Sequence, residues 1–390
     1  MSSRDQASAG LGKLGVEIEL LAPRGRSRQD FACAIAEHYG AAVRRFFHPQ
    51  GEPSKAPNIA FFQNLTLGFV VEDTRGNVPG NVLAQCVDDL TLQDDLDRGY
   101  PPRPGWYRIV SDDPRLLRLT MRHADAVAPL ETVLRPIARM FGTVVEEGEA
   151  GMRRVADQAG SPIAIGATLP GERERPCELI TPPIETKHLD RLETLLGLAR
   201  SLGFSVPAEG AIHLHFDAAP LCAASTIANL VRFLGIHSDA LKQRFGTNPR
   251  CRRLGTWPTE LFELVASPAF LSLEWAEARK QLSQFILTKY CDFNLRNLIH
   301  PVPDKHTFEV RILPVWTDGQ RIVDAAAIFA RILHWARDGA GQLKSVPPLE
   351  DFIGRAPLQK RHQPPSPHRR QSAEPTPSAS RQFPNSSCLR

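Results

Sequence analysis

Apolar and polar positions alternate strictly in three stretches of the chain: Val16-Glu17-Ile18-Glu19-Leu20, Ile212-His213-Leu214-His215-Phe216-Asp217 and Phe308-Glu309-Val310-Arg311-Ile312. Successive side chains of a strand point to opposite faces, so each stretch predicts a strand with an apolar back and a polar front. A solvated front is ordinary in an antiparallel sheet, but it ordinarily carries Thr, Ser, Lys and Gln. These fronts carry Glu, His, Asp and Arg instead, which are metal ligands and a phosphate-binding group.

Elsewhere the period lengthens. Apolar spacing predicts helices over residues 28–39, 125–141, 187–202, 222–245, 258–290 and 320–337, with Gly40, Gly142 and Gly203 placed as stops. Further strands are expected over 105–110, 161–169 and 177–181. The last is ended by Pro182-Pro183, because proline cannot donate to a ladder. Residues 111–114 read as a turn, 171–175 as a charged turn, and 246–257 as a loop holding Arg250, Arg252 and Arg253, either a solvated loop or a basic loop beside an anionic ligand. Residues 48–104, rich in Pro and Gly, read as a loop-rich insertion with short β-like runs at 59–62 and 68–72. The expected organisation is a disordered N-terminus over 1–12, one catalytic domain over 13–348, and a disordered tail over 356–390. The tail has seven prolines and too few large apolar residues to offset its ordering entropy.

Composition changes the picture in two places. The net charge of +4 on 390 residues is misleading, since the tail holds six Lys or Arg against one Glu; with its +5 set aside, the rest carries −1. Charge therefore gives no reason to expect nucleic acid at the body of the protein. Seven cysteines, at 33, 86, 177, 222, 251, 291 and 388, are odd in number and form no CxxC pair, which indicates reduced thiols rather than a zinc site or disulfide framework. No apolar run suits a membrane span or signal segment, so the expected location is the cytoplasm, away from membranes.

Glu17, Glu19, Glu178 and Glu309, with one or two histidines, make an oxygen-dominated set. Hard oxygen donors favour Mg²⁺ or Mn²⁺, and four carboxylates can balance two divalent cations. Arg311 shares a strand face with Glu309, where it makes sense if an anionic ligand such as a nucleotide phosphate chain bridges the ions. No Walker A sequence is present.

Four motifs in order carry a resemblance: Gly-Val-Glu-Ile-Glu at 15–19, Glu-Leu-Ile-Thr-Pro-Pro at 178–183, Gly-Ala-Ile-His-Leu-His at 210–215 and Thr-Phe-Glu-Val-Arg at 307–311. Over about residues 13–335 the chain resembles the amidoligase family, which is grouped with glutamine synthetase and glutamate–cysteine ligase as carboxylate–amine ligases. The resemblance implies an α+β fold: a glutamine synthetase-like curved antiparallel sheet with flanking helices, holding ATP and two or three Mg²⁺ ions on its concave face. It also implies that Glu17, Glu19, Glu178, His213 and Glu309 are metal ligands. By the same likeness His215 contacts ATP, Arg311 holds the γ-phosphate as the catalytic cation, and Arg296 faces phosphate or substrate. The implied reaction is ATP-dependent amide formation through an acyl phosphate, on a small molecule, peptide or protein that bears a carboxylate, with an amine donor. Two rival readings stand beside it. One is a cupin-type enzyme in which His213, His215 and a glutamate hold Zn²⁺ or Fe²⁺, and the other is an inactive fold whose basic tail recruits a partner.

Overall fold

A computed structural model describes residues 11–53, 61–74, 81–251, 253–288, 290–301, 305–338 and 343–353. The segments expected to be disordered, apart from residues 11 and 12, lie outside the described residues, as do Arg252 and Cys388. Among the described residues the fold is mixed, with one large antiparallel sheet of twelve strands and eleven helices.

The strands are β1 (Leu14–Leu21), β2 (Ala42–Pro53), β3 (Phe61–Asp73), β4 (Asn81–Val87), β5 (Tyr107–Val110), β6 (Glu146–Glu147), β7 (Arg153–Ala156), β8 (Pro162–Thr168), β9 (Pro176–Ile180), β10 (Ala211–Asp217), β11 (Phe293–Asn294) and β12 (Thr307–Pro314). Their order is β11-β12-β10-β1-β9-β4-β3-β5-β8-β7-β6, and β2 pairs with β3 off this path. β2 runs along the whole of β3, while β4 meets residues 69–73 of β3 and β5 meets residues 64–66. A strand has two edges, so β4 and β5 share one edge of β3 and the sheet forks there.

The helices are α1 (Arg28–Tyr39), α2 (Pro114–His123), α3 (Arg135–Met140), α4 (His188–Ser201), α5 (Ala224–Phe245), α6 (Thr259–Ala266), α7 (Pro268–Leu271), α8 (Trp275–Leu282), α9 (Arg296–Ile299), α10 (Gly319–Arg337) and α11 (Glu350–Ile353). α1 begins at Ser27, whose backbone N–H and hydroxyl both donate to the Asp30 carboxylate at 2.8 and 2.6 Å. It ends at Gly40 in the left-handed region (φ 61°), where a side chain would be strained. Among the described residues, no helix is long and apolar enough to cross a membrane.

The alternation read from sequence becomes a two-faced sheet. Val16, Ile18, Ile212, Leu214, Phe308, Val310 and Ile312 are fully buried on the back, in one hydrophobic cluster that runs from Leu11 to Phe352. α10 packs on α4 and α5, α5 reaches β12, and α1 lies on β3 and β4, so the helices cover the apolar side. Truncating one of these core side chains to Ala costs about 2–5 kcal/mol. The opposite face is left to the carboxylates.

Several expectations need correction. Residues 48–104 are not a loop-rich insertion throughout, since the end of β2, all of β3 and all of β4 lie within them as members of the sheet. The helix expected over 125–141 shrinks to α3, because Pro129 and Pro136 each lack the N–H an i−4 bond needs. The helix expected over 258–290 divides into α6, α7 and α8: Pro268 opens a new helix, capped by the Ser267 hydroxyl, which accepts from Phe270 N at 3.2 Å. Residues 111–114 are not a turn alone, as Asp113 caps α2 by accepting from Arg115 N at 2.7 Å. The folded body runs past Pro348 to α11, where the Phe352 ring packs 5.0 Å from Phe233 and 6.2 Å from Trp335.

Candidate metal and nucleotide site

β1 stands between β9 and β10, and its register sets the site. Glu17 is opposite His213 and Ile180, Glu19 is opposite Glu178, and His215 is opposite Glu309. Gly15 faces His215, and a Cβ at Gly15 would come within 3.3 Å of the His215 Cβ. The missing side chain leaves room for the imidazole.

A β-bulge lies between β10 and β12, where the step from Ile212 to Leu214 on β10 spans Leu313 to Val310 on β12. One extra residue on β12 bends the strand and re-aims its side chains, as bulges beside sites do. Arg311 Nη1 donates to Glu309 Oε1 at 2.5 Å, and Asn294 Nδ2 on β11 donates to Glu309 Oε2 at 2.7 Å. Glu309 is thus gripped from both sides.

The imidazoles are held among carboxylates. His213 Nδ1 is 3.1 Å from Glu17 Oε2 and 3.7 Å from Glu309 Oε1, and His213 Nε2 is 3.8 Å from Glu19 Oε1. His215 Nε2 is 3.1 Å from Glu17 Oε1, while His215 Nδ1 is 3.3 Å from the Thr307 hydroxyl. Two groups offer ligand atoms within 4.8 Å of one another: Glu17, His215 and Glu309, and Glu17, Glu178 and His213. They share Glu17 and divide the histidines. Glu19 joins neither set, and accepts instead from Ala211 N at 2.8 Å. His215, which the family likeness assigns to nucleotide contact, lies with Glu17 and Glu309 in a group that could hold a cation.

The electrostatics of this cluster are unbalanced. Burial pushes the Glu19 carboxyl well above its ordinary range, reinforced by Asp89 and Glu178. Burial, with Glu17 and Asp89 beside it, does the same to Glu178. Burial also opposes the charge of Glu17, but His215 and His213 outweigh it and hold that carboxyl well below the usual value. For Glu309, His215 and Arg311 overcome burial and bring it down to about 2. Burial lowers His213, while Glu17 and Glu309 overcome burial and raise His215. Two carboxyls are thus ionised and two are pressed toward protonation, the state that cations would relieve.

The donor set fits divalent cations. Its oxygens are carboxylate, and the buried His215 Nε2 makes no hydrogen bond despite its closeness to Glu17, because the alignment is wrong. The buried Arg311 Nε is likewise without a hydrogen-bond partner. A ligand in the adjoining cavity could meet the Arg311 donor.

That cavity measures about 1060 Å³. Glu17, Glu19, Glu178, His213, Glu309, Arg311 and Arg296 all line it, whereas His215 sits just behind the wall. Arg250 and Arg253 also face it, from a loop stapled by Asn248 Nδ2 to Ala208 O and Gly210 O (both 3.0 Å) and by Gly255 N to Asp292 Oδ1 (3.1 Å). Sequence reading missed four contributors. Asn294 lies two residues before Arg296, and His48 projects from β2, at the start of the stretch read as loop-rich. Asp89 and Lys305 come from segments with no periodic pattern to give them away.

A family model described as "Putative amidoligase enzyme" matches residues 12–333. No curated protein and no solved structure is matched by the chain.

Proposed function

Because the chain belongs to the amidoligase family, we propose that it is an ATP- and Mg²⁺-dependent carboxylate–amine ligase, forming an amide bond through an acyl phosphate. The observation that carries the proposal is the pair of candidate cation clusters that share Glu17, with Arg311 beside them and a cavity large enough for a nucleotide and a second substrate.

When bound, Mg²⁺ would neutralise phosphate oxygens and align the nucleotide for transfer. The chain's own groups supply the rest. Glu17, Glu178, His213, His215 and Glu309 offer the ligand atoms, and Glu19 lies beside them. Asn294 and Arg311 hold the Glu309 carboxylate in one orientation. Arg311 offers a guanidinium with a spare buried N–H to the transferring phosphoryl group, a role in which one cationic donor is worth about 3 kcal/mol. A substrate carboxylate attacks the γ-phosphorus and ADP leaves; an amine then attacks the acyl carbon, phosphate leaves, and the amine nitrogen gives up a proton. Arg296, Arg250 and Arg253 line the remaining wall, where they suit an anionic substrate.

The cupin-type alternative needs both histidines on one ion. Here each cluster contains one histidine, and the majority of its donors are carboxylates, which favours Mg²⁺ or Mn²⁺ over zinc or iron. The test is to incubate the protein with ATP, Mg²⁺, glutamate and a panel of amines, and to follow ADP and phosphate release. Release that depends on both carboxylate and amine is expected. A tightly held transition metal, with no ATP turnover across the panel, would sink the proposal.

A further inference from the structure

Lys305 lies two residues before β12 and reaches across to β1, with its Nζ 3.5 Å from Glu17 Oε1. That same oxygen is 3.1 Å from His215 Nε2. Glu17, His215 and Glu309 form one of the candidate cation clusters. An ammonium and a divalent cation compete for the same carboxylate charge and repel one another, so each weakens the other's hold on one carboxylate oxygen. The neighbouring backbone is anchored, since Thr307 pairs with Asp217 and its hydroxyl meets His215. The Lys305 side chain, by contrast, is 51% exposed and lines the cavity. Its flexible stem lets the ammonium move while the strand stays in place.

The ordinary account of such a lysine is a surface ion pair of little consequence. Its acceptor argues otherwise, because Glu17 is 12% exposed and already serves both histidines. Lys305 and Arg311 both line the cavity, the first paired with Glu17 and the second with Glu309.

We infer that Lys305 is an exchanging counter-ion: it neutralises Glu17 in the ligand-free protein, yields that oxygen when a divalent cation binds, and then pairs with a phosphate oxygen of the nucleotide. This rests on the ligase reading and adds a residue that reading does not contain. Removing the ammonium has opposite effects on the two ligands. The bare ion loses a competitor, and the nucleotide loses a partner.

The experiment uses the full chain, as the parent and as Lys305→Met and Lys305→Arg variants. Each is titrated with Mn²⁺ alone, followed by electron paramagnetic resonance, and then with β,γ-imido-ATP at saturating Mn²⁺. The Met variant is expected to hold Mn²⁺ roughly two- to fivefold more tightly, the scale of a half-exposed ion pair removed. It is expected to hold the nucleotide roughly tenfold more weakly, and the Arg variant to recover most of that loss. Both affinities falling together would mark a structural role and overturn the inference, as would no change in either. A parent protein that binds neither Mn²⁺ nor the nucleotide would overturn the ligase reading itself.

Discussion

Two clusters of buried charge lie side by side in this protein, and they are built on opposite plans. In the first, guanidinium and carboxylate alternate. Fully buried Arg28 and Asp88 approach to 3.8 Å, and Arg173 Nη2 meets Asp88 Oδ1 at 2.7 Å. Arg28 also donates to Leu67 O and Arg173 O at 2.9 and 2.8 Å and stacks 4.5 Å from the Trp106 ring. Arg175 pairs with Glu172 and donates to Ala22 O at 2.8 Å. In the second cluster, carboxylate faces carboxylate: Glu19 is opposite Glu178, with Glu17 and Asp89 close by. The first network finds its counter-charges inside the chain. The second is short of them, and such a shortage marks a candidate functional site.

The largest expected effect tests the self-sufficient side. Asp88→Ala leaves Arg28 and Arg173 buried without their counter-charge, and should cost about 3–5 kcal/mol in denaturant unfolding. Added Mg²⁺ and ATP should not restore it. A loss below about 1 kcal/mol would mean that the network is ornamental and the contrast false.

Arg311→Ala should lower kcat by roughly 10², equivalent to about 3 kcal/mol of transition-state stabilisation, and raised Mg²⁺ should not rescue it. Steady-state kinetics at saturating ATP decide this; an unchanged kcat would remove Arg311 from phosphoryl transfer.

Glu178→Gln should do what a change in the first network cannot. It relieves like-charge repulsion, so the ligand-free protein should gain about 0.5–2 kcal/mol of stability while losing activity. Thermal unfolding with and without Mg²⁺ checks both halves. A destabilised ligand-free variant would show that Glu178 is paired after all.

The smallest effect is one of pH. The folded-state pKa of Glu178 is raised, so its contribution favours folding at low pH and is lost as pH climbs from the ordinary carboxylate range through the raised value. Ligand-free stability should therefore slope downward over that window, less so in Glu178→Gln. Saturating Mg²⁺ should flatten the slope in the parent, because the ion replaces the proton. A Mg²⁺-dependent gain that does not grow with pH would count against Glu178 as a ligand.

The second cluster was largely legible in the sequence, and the first was not. Glu17, Glu19, His213, Glu309 and Arg311 declared themselves because a strand with one apolar face leaves a period of two that any reader can follow. Glu178 had a weaker signal, in a short strand ended by Pro182-Pro183. Residues 171–175 looked like a solvated charged turn, yet Arg173 and Arg175 are buried. Arg175 has a local partner in Glu172, but Asp88, which pairs with Arg173, and Ala22, which accepts from Arg175, lie 85 and 153 positions away, and no local pattern encodes such distant pairings. Lys305 and Asp89 escaped for the same reason. β2 and β4 escaped because a strand in a Pro- and Gly-rich setting competes with turn chemistry.

The central place of β1 in the sheet bears on how the protein is born. β1 is complete at Leu21, but its neighbours are β9, which begins at Pro176, and β10, which begins at Ala211. At a synthesis rate of about 5–20 residues per second, β10 emerges roughly 10–40 s after β1. For roughly the first 8–30 s of that interval, until β9 is made, the strand that carries Glu17 and Glu19 has neither of its native neighbours, and unpaired strand edges are where nascent chains find wrong partners. The carboxylates become neighbours only when sequence-distant strands close around β1, and such long-range pairing is slow. Translation has to run nearly to the end of β12, at Pro314, before the ribosome has delivered a chain able to assemble this carboxylate cluster.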